Sequence, residues 1–404
     1  MIFTLPALRT GALARVSGLL LACVVAAASH AAFVKNETLV SSQWDLIDAE
    51  YSQTRKAIVW SDSLGNLWLA GVDPVTGLFV PADGRGTLID TNASNTSDLD
   101  LIGNGPEWIT TAKGDQIVYT RFGVGVPHEQ ASARLALAET ADGKVWTSRF
   151  LSANLQRNAP YASKDKGDKL PRISYVDPKG NHYWRNLYDS KSEKKVTAYP
   201  ASFRSLRFVK GARAAVFVAP VAGIKQVHRV WLDTDVVEQL TFDAGNKDLH
   251  SVPWMWQAPE YANDYLLLTV VEDRELRVYR QVDPSTPAWE VVRTAVTPNN
   301  AILNSPEPFT YKSKSYVAFA AATRAPSYPT SLWLVNLDVS KPLLRQLTDD
   351  TTLRMRSDPE VYVTAEGAFL YFNRFDPSLS TTGEPNCNAC SEGVFRSHTG
   401  LPLN

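Results

Sequence analysis

The 404-residue chain sets 41 Lys and Arg against 42 Asp and Glu, a formal net charge of −1, and 44% of it is hydrophobic. That balance implies neither a nucleic-acid partner nor a membrane surface. Eleven Trp and fifteen each of Tyr and Phe are ample for a packed core and favour strands.

At the N-terminus, Arg9 and Arg15 precede an apolar run, residues 16–28, that is too short to span a bilayer and ends in Ser29-His30-Ala31. This pattern predicts a secretory leader over residues 1–31, cleaved after Ala31, and a periplasmic or secreted mature chain over residues 32–404 with no membrane span. A rival reading makes Cys23 a lipid-attachment site, but the chain stays apolar through Val24, Val25 and Ala28. Losing Arg9 and Arg15 leaves 39 basic against 42 acidic residues, a net charge of about −3.

Seven related units follow, each read as an inner strand, a turn and an apolar second strand. The first runs from Trp44-Asp45-Leu46-Ile47 to residues 57–60. The second runs from Asn104-Gly105-Pro106-Glu107-Trp108 to residues 116–122, and the third from Leu170-Pro171-Arg172-Ile173 to His182-Tyr183-Trp184. Next come Leu206-Arg207-Phe208 to residues 214–217, Ser251-Val252-Pro253-Trp254 to residues 265–271, and Asn304-Ser305-Pro306-Glu307 to residues 316–319. The last unit joins Asp358-Pro359-Glu360 to the apolar run 368–372, which is expected to be buried on both faces.

A third strand is marked by Leu67-Trp68-Leu69, Val230-Trp231-Leu232, Leu276-Arg277-Val278-Tyr279 and Leu332-Trp333-Leu334-Val335. A fourth closes on Gln239-Leu240-Thr241 and Gln346-Leu347-Thr348. Units that cannot bury their apolar faces alone must stack on one another. The expected fold is an all-β propeller of four-stranded blades in one domain, seven blades with six as the alternative.

The succession Gln-Leu-Thr, Pro-x-Trp, turn glycine and apolar-Tyr-Phe resembles the TolB-type and WD40-like periplasmic β-propeller repeats. The family's Ser-Pro-Asp-Gly turn is degraded here to Thr111-Ala112-Lys113-Gly114 and Thr364-Ala365-Glu366-Gly367. That family covers binding scaffolds as well as domains attached to enzymes, so the resemblance bears on fold and not on activity. It also implies that the inner strand of each blade begins near one mouth of a central channel, to which the loop after the second strand returns.

On that geometry two sets of residues should meet. Glu107, Glu307 and Glu360 follow the repeat proline, with Asp358 just before the last one. Arg121, Arg185, Arg274, Arg324 and Arg374 end second strands. They are expected to form a charged ring at the channel mouth. Its arginines either pair with carboxylates between blades or, being in surplus, attract an anionic ligand such as a uronate, sulfate or phosphate. His128, beside Glu129 in the long loop 123–131, and His182 with Tyr183 are candidate acid–base residues.

Cys387 and Cys390 read as a disulfide pinning a loop of an exported protein. The alternative, a metal held with His398, lacks a fourth ligand, and no metal or cofactor is expected. The chain contains no phosphate-cradling glycine loop, His-Glu-x-x-His or Gly-x-Ser-x-Gly motif.

Two functions fit. One is a monomeric exported propeller binding an envelope protein or an anionic glycan at its channel mouth. The other is a carbohydrate-active enzyme on an acidic polysaccharide. As a lyase, Arg121 or Arg185 would neutralise a uronate, His128 or His182 would take the proton, and Tyr183 or Tyr119 would protonate the leaving oxygen. As a glycoside hydrolase, two of Glu107, Glu307 and Glu360 would have to lie about 5–10 Å apart.

Overall fold

The computed structural model describes residues 37–96, 104–151, 156–165, 168–197, 206–283, 288–322, 329–349, 351–384 and 386–403. The expected leader, with Cys23, lies outside the described residues.

Strands follow one another as antiparallel meanders in seven sheets. The inner strands, in chain order, are Glu50–Ser52, Glu107–Thr111, Asn158–Ala162, Arg207–Phe208, His250–Ala258, Ile302–Tyr311 and Met355–Thr364. Each sheet is a blade of a β-propeller. In blade 1 both Phe79–Val80 and Thr87–Asp90 pair with Leu67–Val72, giving a fifth strand.

The apolar runs are explained by what lies on either side of them. Side chains alternate between the two faces of a strand, and each blade has a neighbour on each face. In blade 6, Val317, Phe319 and Ala321 pack into the core shared with blade 5, while Ala318 and Ala320 pack into the core shared with blade 7. In blade 7, Leu370 and Phe372 face blade 6, and Phe369 and Tyr371 face blade 1. Every pair of neighbouring blades, including 7 and 1, has its own apolar cluster.

The ring is closed by the start of the chain. Glu37–Ser41 is the outer strand of blade 7, paired with Ser391–His398. Its Glu37 accepts from the buried Arg356 on the inner strand of the same blade, at 2.6 Å from Nη2.

Two units are displaced from their expected places. In blade 3 the inner strand is Asn158–Ala162, so the segment read as inner begins the second strand, Arg172–Val176, and His182–Asn186 is the third. The repeat proline here is Pro160, in Asn158-Ala159-Pro160-Tyr161, whereas Pro171 only precedes a strand and gives its carbonyl to Leu187 N. In blade 1, Trp44–Ile47 lies before the inner strand Glu50–Ser52.

The repeat proline marks a shared irregularity. In blades 3, 5, 6 and 7 the inner strand carries one extra residue against the second strand, between Asn158 and Tyr161, Ser251 and Trp254, Asn304 and Glu307, and Ser357 and Glu360. The residue before each proline has a left-handed backbone: Ala159 (φ 50°), Val252 (φ 47°), Ser305 (φ 44°) and Asp358 (φ 55°). Asp48 in blade 1 does the same (φ 56°). Such a bulge re-aims the following side chain, and proline, having no N–H, leaves no donor unpaired there.

Candidate functional site

Residues at this position of the inner strand meet at the centre of the ring. Glu50, Glu107, Tyr161, Arg207, Trp254, Glu307 and Glu360, one from each blade, all line a central cavity of about 750 Å³. In blade order the four glutamates occupy blades 6, 7, 1 and 2, which are consecutive, and the other three residues occupy blades 3 to 5. The wall therefore has an acidic arc facing an aromatic one. On the aromatic arc the Arg207 guanidinium lies between the rings of Trp254 and Tyr161, 4.3 and 5.5 Å from their centres, a cation–π arrangement. Trp256 and Phe208 extend this side of the wall.

The acidic arc is organised by two side chains. Lys164, two residues beyond the inner strand of blade 3, places its Nζ 3.0 Å from Glu50 Oε2 and 3.6 Å from Glu107 Oε2. Asn104 donates from Nδ2 to Glu107 Oε1 at 3.0 Å and to Pro160 O at 2.8 Å, fixing the carboxyl against the next blade. Asp48, also in the wall, accepts from Gly105 N at 2.6 Å.

Burial, together with crowding of like charge, changes the proton affinities. Burial, and then the Glu50 carboxylate, push Glu107 up to about 8, against the opposing pull of Lys164 and the Asn104 hydrogen bond. Glu360 is also raised well above the carboxylate range, by burial and then by Glu50, Glu307 and Asp358. For Lys164 burial acts downward, but Glu50, Glu107 and Glu360 more than offset it and hold the ammonium well above its ordinary range. Among the described residues no group of three His, Cys, Asp or Glu is arranged to hold a metal ion.

The expected arginine ring does not form. Arg121 Nε is paired with Asp90 at 2.6 Å, and Arg374 with Glu392 at 2.6 Å and Glu37 at 3.0 Å. Arg185, on a third strand, is buried and donates to the carbonyls of Leu151 (3.2 Å) and Leu187 (3.3 Å). Arg274 sits in the turn after the second strand of blade 5 and is not in the cavity wall. Arg324 lies outside the described residues. The physical reason is one of distance from the axis: a second strand is one strand out from the channel, so side chains at its end meet the outer strands of their own or adjoining blades.

The candidate acid–base residues are also dispersed. The His128 ring stacks on Phe122 with centres 4.0 Å apart. His182 is buried on the third strand of blade 3, and Tyr183 on the same strand donates to Asp177 Oδ2 at 3.2 Å. Tyr119 donates to Asp90. None of the four lines the cavity.

Cys387 and Cys390 are joined by a disulfide in the loop before the third strand of blade 7. His398 ends that strand, seven residues on from its start at Ser391, so roughly 20 Å of extended chain separates it from the cysteines. It cannot share a metal with them.

Glu50, Tyr161, Lys164, Arg207 and Trp254 join a wall of which the sequence marks Glu107, Glu307, Glu360 and Asp358. The usable signal was the position after the repeat proline, which in blades 3 and 5 holds an aromatic residue instead of an acid.

No protein-family model and no curated protein matches this chain. Among solved structures it is similar to that of TolB from Acinetobacter baumannii, at 14% identity over 87% of this chain and 79% of that one, with a TM-score of 0.40. It is also similar to a chain of a nidogen/laminin complex, at 9% identity over 72% of this chain and 96% of that one, with a TM-score of 0.35. By its own strand order and seven inter-blade cores, the chain is a seven-bladed β-propeller.

Proposed function

We propose that the protein is an exported binding propeller whose central channel receives a positively charged segment of a partner protein. The observation that carries this reading is the acidic arc, four glutamates on consecutive blades in a cavity of about 750 Å³. Such an arc attracts cations and repels uronates and sulfates, so a basic protein segment fits better than an acidic polysaccharide. Of the arginines that favoured an anion, Arg121, Arg185 and Arg374 are engaged with Asp90, Glu37, Glu392 and backbone carbonyls. Opposite the arc, the aromatic wall offers apolar surface to the stems of lysine and arginine side chains.

The test sets two peptides of equal length, one Lys/Arg-rich and one Asp/Glu-rich, beside a uronate polysaccharide. The mature protein is expected to bind the basic peptide, more weakly as salt rises, and to leave the acidic peptide and polysaccharide unbound. Binding of the acidic ligands alone, or ultraviolet absorbance of an unsaturated uronate, would contradict it.

A further inference from the structure

The acidic arc already holds a cation, and it is the chain's own. Lys164 is seated between Glu50 and Glu107, yet 52% of its side chain is exposed to the cavity, while the Glu107 side chain is 5% exposed. Asn104 holds the Glu107 carboxyl, while the Lys164 stem stands open to the cavity. The backbone of the preceding Ser163 is anchored by bonds from its N to Arg172 O (2.9 Å) and from Thr110 N to its carbonyl (3.3 Å). The flexible four-carbon stem can swing without disturbing the fold.

We infer that the Glu50–Glu107 pair is a primary-amine subsite that Lys164 occupies from within, and that a lysine side chain of the partner enters by displacing it. This rests on the channel being the binding site. One ammonium replaces another, so the charge on the arc does not change, and the entering group inherits an acceptor, Glu107, already oriented by Asn104. Glu360, on the adjoining blade, adds its attraction to the same ammonium where it is ionised. A compact ammonium with three donors matches what Lys164 presents there, which a planar guanidinium does not. The aromatic wall across the cavity, Trp256 and Phe208 among it, takes the apolar part of the entering segment. Lys164 thus sets a threshold: ligands must out-compete a tethered rival whose effective concentration is high.

Titration calorimetry with an oligolysine peptide, on wild-type protein and on Lys164→Met, Lys164→Gln and Lys164→Arg, tests the inference. Removing the ammonium in Lys164→Met or Lys164→Gln should tighten oligolysine binding by about tenfold or more, and Lys164→Arg, which keeps a tethered positive charge beside the arc but fits the subsite less well, should tighten it less. Unchanged or weaker binding in the two neutral variants, with the wild type still binding, would make Lys164 a fixed structural ion pair and overturn the subsite. If neither wild type nor variants bind oligolysine, the channel reading itself fails. Independently of mutation, oligolysine should increase labelling of Lys164 by an excess of amine-reactive reagent, and a decrease would count against displacement.

Discussion

Replacing Arg356 by alanine is expected to destabilise the fold by about 3–5 kcal/mol, the usual consequence of stranding one partner of a buried ion pair. The Arg356 side chain is 1% exposed and meets Glu37 through Nη2 at 2.6 Å and Nε at 2.8 Å. Its remaining nitrogen donates to Thr330 O on blade 6. Arg356 thus ties together the first described strand, the last blade and that blade's neighbour. Its loss leaves the Glu37 carboxylate with Arg374 alone and loosens the strand that closes the ring. Arg354, only two residues away, is 24% exposed and pairs with Asp376 and Glu392. Arg354→Ala should cost only about 1 kcal/mol or less, as more exposed pairs do. Urea denaturation of the two variants checks this. Equal losses for both, or a loss below about 1 kcal/mol for Arg356→Ala, would mean that closure does not depend on the buried pair.

A basic peptide should bind more tightly as pH rises from about 6 to about 9, because the Glu107 carboxyl ionises within that window. Its pKa of about 8 stands above the ordinary 4.5 because of burial and the neighbouring Glu50. Lys164, held above its ordinary 10.5, stays charged throughout. Glu360 is raised too and adds charge in the same direction as it ionises. Stability runs the other way. A carboxyl whose folded pKa is raised contributes stability that is fully present below the unfolded value and is lost as pH rises through the folded one. The Glu107 contribution is thus whole below about pH 4.5 and gone above about pH 8. Glu107→Gln should remove its share of both pH dependences and weaken binding by about tenfold, the worth of one charge-assisted contact. Titrations at the two pH values and constant ionic strength decide it. Binding that weakens with rising pH would contradict the role given to Glu107.

The blades were legible because a strand between two neighbours is apolar on both faces, and the runs at 265–271, 316–319 and 368–372 carry that signature. Blade 3 was displaced by one strand because Pro171 imitates the repeat proline, while Pro160, in the same Asn-x-Pro setting as Pro106 and Pro306, is the one at the bulge. That shift moved Arg185 from a third strand to a second and so into the expected ring. Closure by Glu37–Ser41 was illegible, since five residues with a partner at the far end of the chain carry no local signal. Glu50 was hidden by Ala49, which stands where the other acidic blades have proline, although Asp48 keeps the left-handed turn. Lys164 left no mark on the pattern because its role depends on a side chain reaching from blade 3 to carboxylates on blades 1 and 2. The arginines recur at a repeat position, but periodicity gives no distance from the axis.

Calorimetric titration of a basic peptide into wild-type protein and into the Glu50→Gln/Glu107→Gln/Glu360→Gln variant most directly tests whether the acidic arc is the binding site. The amides keep the size of the carboxyls and relieve their mutual repulsion, so the variant should remain folded. Salt-sensitive binding by the wild type, lost in the triple variant, is the predicted result. Undiminished binding by a folded triple variant would contradict it and place recognition elsewhere on the propeller.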